Sequence, residues 1–281
     1  MKVVTAVVNN PIFIEIQYYT LKKYFQGDYE FIVFNDAKDF ADFTNGDNPH
    51  IKTDIQNICH KLNITCINIE NEHHKLNNDP ALRCSDSMNY ILNYQLENPD
   101  KYLLLDSDMF LIDYFDINKY SNYDCAIVLQ KRNEDIQYFW NGIYYFDMSR
   151  IKNKYLLNWT PIPGTDVGGS MDLWLKFQMK NEMMPNTEDI RFKDETYHKN
   201  DIYFIKHLWS LSWDINELPT RFKEHHKLID FLTNDVRNEN GKFFCELYDE
   251  VFLHYRCGGN WRNEGMELHK ILSEKLKNSL L

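Results

Sequence analysis

The chain has six cysteines (Cys59, Cys66, Cys84, Cys125, Cys245 and Cys257) but no C-x-x-C pair and no zinc-type spacing. That distribution excludes a zinc ribbon and resembles the reduced thiols of an intracellular protein more than a disulfide framework. No stretch approaches 18 consecutive apolar residues, so no membrane span is expected. Met1 to Val4 runs straight into a strand-like segment, leaving no room for a signal peptide, and a cytoplasmic location is the expectation. Basic charge is in short supply: 31 Lys and Arg against 42 Asp and Glu leave 31 − 42 = −11. An acidic chain without a Lys/Arg run is a poor partner for nucleic acid or anionic lipid. Missing too are G-x-x-x-x-G-K-[ST], a G-x-G-x-x-G after the first strand, H-E-x-x-H and G-x-S-x-G. Their absence disfavours P-loop kinases, classical dehydrogenases, zincins and α/β-hydrolases. Without repeats, low-complexity tracts or a linker, a single domain over 1–281 is expected.

What is present is alternation of strand and helix. The 281 residues suit one large α/β domain, and aromatic residues at 15% fill cores with few side chains. Val3 to Val8 reads as a strand buried on both faces. Asn10-Pro11 then starts a helix, with Asn10 as cap. A strand over 29–34, a helix over 51–62 and a strand over 65–69 follow. Met88, Ile91, Leu92 and Leu96 make the stripe of a helix placed after Ser85 and stopped at Asn98-Pro99. Lys101 to Leu105 is the strongest buried-strand signal. In the second half, 125–129, 142–146 and 252–255 read as strands and 172–179 as a helix. The stretch 183–199 reads as a loop. Leu268, Ile271, Leu272, Leu276 and Leu280 form a C-terminal amphipathic stripe. The expected class is α/β, a mostly parallel sheet flanked by helices, with an irregular second half. Residues 1–120 would be a nucleotide-binding half, 121–262 an acceptor-side half and 263–281 a terminal helix.

In such sheets ligands gather at the carboxyl ends of strands, where Asp36, Asp106 and Asp108 all fall. Residues i and i+2 of an extended strand point the same way, so Asp106 and Asp108 could hold one hard cation between them. Mn²⁺ and Mg²⁺ favour oxygen ligands, often one or two carboxylates plus substrate phosphates. A solvated turn after a core strand is the competing reading.

The segment 102–116, YLLLDSDMFLIDYFD, resembles the "YLDxDxxVxxDL" block of the family 8 glycosyltransferases, a GT-A-fold group containing glycogenin and bacterial galactosyltransferases. Asn141 to Asp147 is similar to that family's "N-A-G-V-x-x-x-D" strand, and Gly168 to Asp172 falls where the family has its "D-Q-D" helix start. Leu218 to Phe222 resembles its "L-P-x-x-[FY]-N" turn, and 254–261 its closing "H-[FY]-x-G-x-x-K-P-W" motif. The blocks come in the family's order across about residues 1–262. Two departures matter. Asn260 stands where the family has a Lys that contacts the donor diphosphate, leaving Arg256 and Arg262 as nearby cations, and Met171-Asp172 replaces Gln-Asp.

The resemblance implies a metal-dependent transfer of a hexose from a UDP-sugar to a glycan or other hydroxyl acceptor. Asp106, Asp108 and His254 would hold Mn²⁺ (or Mg²⁺), and Asp36, Arg83, Asp106, Ser107, Gly258 and Asn260 would meet the donor. Asp172 and Asn141 would face the acceptor, Asp172 as acceptor ligand or base. Gly168-Gly169 would admit a sugar close to the backbone, and one or two of Trp140, Trp209, Trp213 and Trp261 would stack on it. The pairs His73-His74 and His225-His226 read as solvated. Two alternatives stay open: a non-catalytic nucleotide-sugar binder, kept alive by Asn260, and a sugar-1-phosphate nucleotidylyltransferase. The latter wants Gly and a basic residue after the first strand, and Val8 to Ile14 has neither.

Overall fold

The structure is a computed structural model that describes residues 1–38, 50–70, 72–131, 136–180, 185, 197–258 and 266–281. Its strands are β1 (Lys2–Val7), β2 (Phe25–Gln26), β3 (Glu30–Asn35), β4 (Thr65–Asn68), β5 (Lys101–Leu105), β6 (Met109–Leu111), β7 (Phe115–Asp116), β8 (Cys125–Lys131), β9 (Gln137–Asp147), β10 (His198–Lys199), β11 (Ile202–Phe204), β12 (His207–Leu208), β13 (Glu246–Tyr248) and β14 (Phe252–His254). Its α-helices are α1 (Pro11–Tyr24), α2 (Ile51–Leu62), α3 (His73–Leu76), α4 (Pro80–Glu97), α5 (Asn118–Ser121), α6 (Met171–Met179), α7 (His226–Thr233) and α8 (Met266–Leu280).

Among the described residues, eight strands form the main sheet in the order β10-β11-β8-β9-β5-β1-β3-β4. The run β5-β1-β3-β4 is parallel, as the strand–helix alternation requires, while β9 enters antiparallel between β5 and β8. The two-residue side-chain period sorts each strand between two cores. Val3, Val33, Leu103, Leu105, Ala126 and Tyr145 face α1 and α2. Val4, Ile32, Phe34, Leu104, Ile127 and Tyr144 face α4 and α6. Each fully buried Leu, Ile or Val contributes roughly 1.5–3 kcal/mol, so these near-continuous apolar runs hold the sheet centre.

A smaller antiparallel sheet, β12-β13-β14-β6, packs with α7 and α8 on a third core through Phe110, Leu247, Leu253, Leu272 and Leu276. Helix α1 lies between the two systems: Ile14 and Leu21 join the main core, Phe13 and Ile16 the third. The smaller sheet has no clear periodic signal in the sequence because its strands are only two or three residues long.

Several helix boundaries differ from the sequence expectation. Helix α4 starts at Pro80, six residues before the expected position, because Asp79 accepts the Ala81 N–H at 2.8 Å and Pro80 presets the first turn. Asn10 does not cap α1 through its side chain; its Nδ2 donates instead to Ser273 Oγ on α8 at 3.1 Å. On α8, Ile271 is 48% exposed, so the buried stripe runs through Leu272, Leu276 and Leu280 without it. Most of the expected 183–199 loop lies outside the described residues. No helix among the described residues is long and apolar enough to cross a membrane.

Candidate metal and donor site

The exit of β5 is not extended. Met109 N donates to Asp106 O at 3.0 Å, so Asp106-Ser107-Asp108 is a turn that reverses the chain into β6. The i, i+2 geometry expected from a strand is therefore replaced by a turn, which still presents both carboxylates to one point. Helix α1 fixes this turn: Gln17 Nε2 donates to Asp106 O at 2.8 Å and to Met109 O at 3.1 Å. Strand β14 supplies the third group. It pairs with β6 so that His254 lies opposite Met109, and His254 Nε2 comes 3.0 Å from Asp108 Oδ1. One ligand atom from each of Asp106, Asp108 and His254 lies within 4.8 Å of the others.

The neighbours orient these groups. His254 Nδ1 is 2.8 Å from Glu246 Oε2, its partner directly across the β13–β14 ladder, and Tyr248 OH donates to the same oxygen at 2.7 Å. A carboxylate behind a metal-facing imidazole fixes the ring and its tautomer. Trp140 covers one side, its ring centroid 5.0 Å from that of His254 and stacked on Tyr248. Beyond β14 the backbone is strained: Arg256 and Cys257 both have positive φ, 65° and 61°. This turn lets Gly258 N donate to Asp108 Oδ2 at 2.7 Å. A Cβ at Gly258 would lie 2.4 Å from Phe13 and 2.9 Å from Asp108, so only glycine fits.

Electrostatics mark the cluster as short of positive charge. Burial and the adjacent Asp108 carboxylate push Asp106 up to about 7. Burial would also raise Asp108, but the His254 charge and hydrogen bond pull it below the usual carboxylate range. Burial would lower His254, and its two carboxylate partners, Asp108 and Glu246, hold it well above the usual imidazole value. Two carboxylate oxygens and one oriented imidazole nitrogen match the donor preferences of Mn²⁺, and the residues fit such an ion.

The cluster lies in a cleft of about 1190 Å³. Asp36, Arg83, Ser107, Asp108 and His254 line it, with Asn141, Trp140 and Trp209. Lys38, Lys131 and Arg256 add basic groups to its wall. Arg256 Nε lies 3.7 Å from Glu246 and its Nη1 donates to Ser210 Oγ at 3.0 Å.

Other expected residues fall differently. Asp172 is not among the cleft-lining residues: it pairs with Lys176 at 2.7 Å and accepts the Gln137 N–H at 3.2 Å. Asp166 is among the carboxylates that do line the cleft. Gly168 and Gly169 admit internal neighbours, since a Cβ would meet Phe139 O at 2.6 Å and Thr165 Oγ1 at 2.0 Å respectively. Trp213 is fully buried in the third core. Asn260, Trp261 and Arg262 lie outside the described residues. All six cysteines are free.

The histidine pairs split. His225 and His226 are exposed, as expected. His74 is buried, and His73 and His74 both turn onto Asp36 with Nε2–carboxylate distances of 3.1 Å, which corrects the reading of this pair as solvated. Asp36 Oδ2 also accepts the Ser87 hydroxyl. Sequence reasoning missed Glu246. Its signal was a lone carboxylate in the apolar run Phe243 to Tyr248, eight residues before His254 across a turn.

No protein-family model matches the chain, and no curated protein matches it. Solved structures do match. One, of an active-site mutant of LgtC, has 14% identity and a TM-score of 0.38, covering 56% of this chain and 61% of that chain. Another, the galactosyltransferase LgtC in complex with donor and acceptor sugar analogues, has 14% identity and a TM-score of 0.37, covering 67% and 68%. The chain thus spans about three fifths of the length of the first of these structures. The neighbours are glycosyltransferase structures, and they are partial, distant likenesses of this chain.

Proposed function

We propose that the chain is a metal-dependent glycosyltransferase that moves a hexose from a UDP-sugar to an acceptor hydroxyl. The observation that carries this reading is the convergence of Asp106, Asp108 and His254 from two sheets within 4.8 Å, in a cleft whose lining also includes Lys38, Arg83, Lys131 and Arg256. The ordered sequence blocks from 102 to 261 support it. Asp106, Asp108 and His254 would hold Mn²⁺ or Mg²⁺, which when bound neutralises charge on a departing diphosphate. Arg83 and Arg256 would pair with phosphate oxygens, Arg256 supplying the charge that Asn260 does not. Ser107 would offer its hydroxyl to the donor. Gly258 would act through Asp108, which its N–H holds in place. Asn141, with Trp140 and Trp209 beside it, would face the acceptor. Asp166 is better placed than Asp172 to bind an acceptor hydroxyl or take its proton, because it lines the cleft while Asp172 is engaged by Lys176 and Gln137.

The same reading makes 1–120 the donor half and 121–262 the acceptor half of one domain working in the cytoplasm. The test is isothermal titration of UDP with and without Mn²⁺, on wild type and Asp108→Ala, followed by hydrolysis of UDP-hexoses. Metal-dependent UDP binding that Asp108→Ala abolishes is expected. Equal, metal-independent binding to both proteins would remove the metal-site assignment, and binding with no hydrolysis above buffer would favour the non-catalytic reading.

A further inference from the structure

A second Asp/His cluster opens on the same cleft. Asp36 directly follows β3, buried at the carboxyl edge of the parallel sheet, and His73 and His74 begin α3. Consecutive helical residues diverge by roughly 100° around the axis, so two such side chains ordinarily part company. Here both rings turn to one carboxylate: His73 Nε2 is 3.1 Å from Asp36 Oδ1 and His74 Nε2 is 3.1 Å from Oδ2, with ring centroids 4.3 Å apart. Their ligand atoms all lie within 4.8 Å of one another.

We propose that Asp36, His73 and His74 form a second divalent-cation site, selective for a borderline ion of the Zn²⁺ class. Two imidazole nitrogens and one carboxylate oxygen are a softer set than the two carboxylates and one imidazole at Asp106, Asp108 and His254. Imidazole donors suit Zn²⁺ and neighbouring transition ions, whereas Mg²⁺ and Ca²⁺ want oxygen. Three protein ligands with a position left open is also the pattern of reactive zinc centres. The spacing is close to what an ion needs. Bonds of roughly 2.0–2.1 Å at tetrahedral angles put ligand atoms about 3.3–3.4 Å apart, so small shifts suffice.

A plain buried Asp–His pair is the rival arrangement, and two details favour the ion. A pair needs one imidazole, and here two converge through the same nitrogen. Asp36 Oδ1, though buried, receives no hydrogen bond among the described residues, because His73 Nε2 beside it is directed to Oδ2 at 3.3 Å. A cation between the rings and the carboxylate would engage that oxygen. Ser87 Oγ, from α4, donates to Oδ2 and would orient the carboxylate from behind. Asp36 and His74 both line the cleft, so the open position would be reachable from it.

The experiment titrates Zn²⁺ alone into chelator-treated protein by calorimetry, with Co²⁺ absorption as a second readout. Asp108→Ala, which lacks the first cluster, should still bind one Zn²⁺ and melt at a higher temperature with it. Adding His73→Ala should weaken that Zn²⁺ more than roughly tenfold, His73 being the most exposed of the three ligands and so the one whose loss disturbs the fold least. His73→Gln, which keeps bulk, should do the same. If Asp108→Ala does not fold, the comparison runs in wild type with Mn²⁺ occupying the first cluster. Absence of Zn²⁺ binding, or equal Zn²⁺ binding with and without His73, would overturn the site. Because transfer activity is not read, this result is independent of the proposed function.

Discussion

Asp106, Asp108 and His254 join residues 146 positions apart, whereas Asp36 and His74 are 38 apart and the two histidines adjacent. The two clusters draw on the same chemistry in opposite proportion. Two carboxylates and one imidazole leave the first with surplus negative charge, and burial together with the adjacent Asp108 carboxylate pushes Asp106 up to about 7. One carboxylate and two imidazoles leave the second near balance. Burial would raise Asp36, yet the histidines hold it low, and Asp36 holds His73 high against the effect of its own burial. The difference teaches where a cation is demanded by electrostatics and where it is only accommodated by geometry.

The sharpest way to break that contrast is Asp108→Ala. It should reduce Mn²⁺ affinity more than roughly 100-fold, in line with a lost ligand costing at least what a lost supporting group does, and leave Zn²⁺ at Asp36 untouched. Calorimetry with each ion separates the two, and parallel loss of both would merge the clusters into one site.

Glu246→Gln comes next. It keeps the length but removes the charge behind His254, and should weaken Mn²⁺ by about 10–100-fold without moving Zn²⁺. An unchanged Mn²⁺ isotherm would show that the ring needs no such partner.

The third effect is pH. Mn²⁺ must displace the proton on Asp106, and a group titrating near 7 goes from mostly protonated at pH 6 to mostly ionised at pH 8. Affinity should therefore rise about tenfold over that window from Asp106 alone, and further because His254 must also lose its proton. The stability sign agrees. Both folded-state values are raised, so their contribution is present at low pH and lost as pH rises through them. The melting-temperature gain from Mn²⁺ should be larger at pH 8 than at pH 6. A flat profile would mean that the carboxylates do not share their charge.

The smallest expected effect is at the second cluster. Ser87→Ala removes one donor to Asp36 and should weaken Zn²⁺ by less than about tenfold, since both imidazoles remain. A larger loss by Zn²⁺ titration would make Ser87 a ligand in its own right.

The α/β class, the parallel strands β1, β3 and β5 and their flanking helices were legible because their signals are local. Val3 to Val7 and Lys101 to Leu105 are apolar runs too short for helices, and the stripes of α2 and α4 repeat at helical spacing. Of the smaller sheet only 252–255 was legible, because strands of two or three residues have no period to read, and without β13 beside it the reason Glu246 matters was hidden. His73-His74 was misread for the same reason: an exposed pair and a buried one have identical sequence until Asp36 is brought above them.

By itself the sequence determined which groups could do chemistry at the ends of strands: Asp36, Asp106 and Asp108 follow buried runs, and a buried run ends where the chain turns to solvent. Only the tertiary structure decided which of them act together. Strand β14 pairs beside β6 and sets His254 against Asp108, while Gly258 alone leaves room for Phe13 to close behind it. Asp172, a plausible partner in sequence, is drawn instead to Lys176 and Gln137. Ligation is a matter of distance between atoms a few ångströms apart, and residues 146 positions apart acquire such a distance only when the sheets have packed.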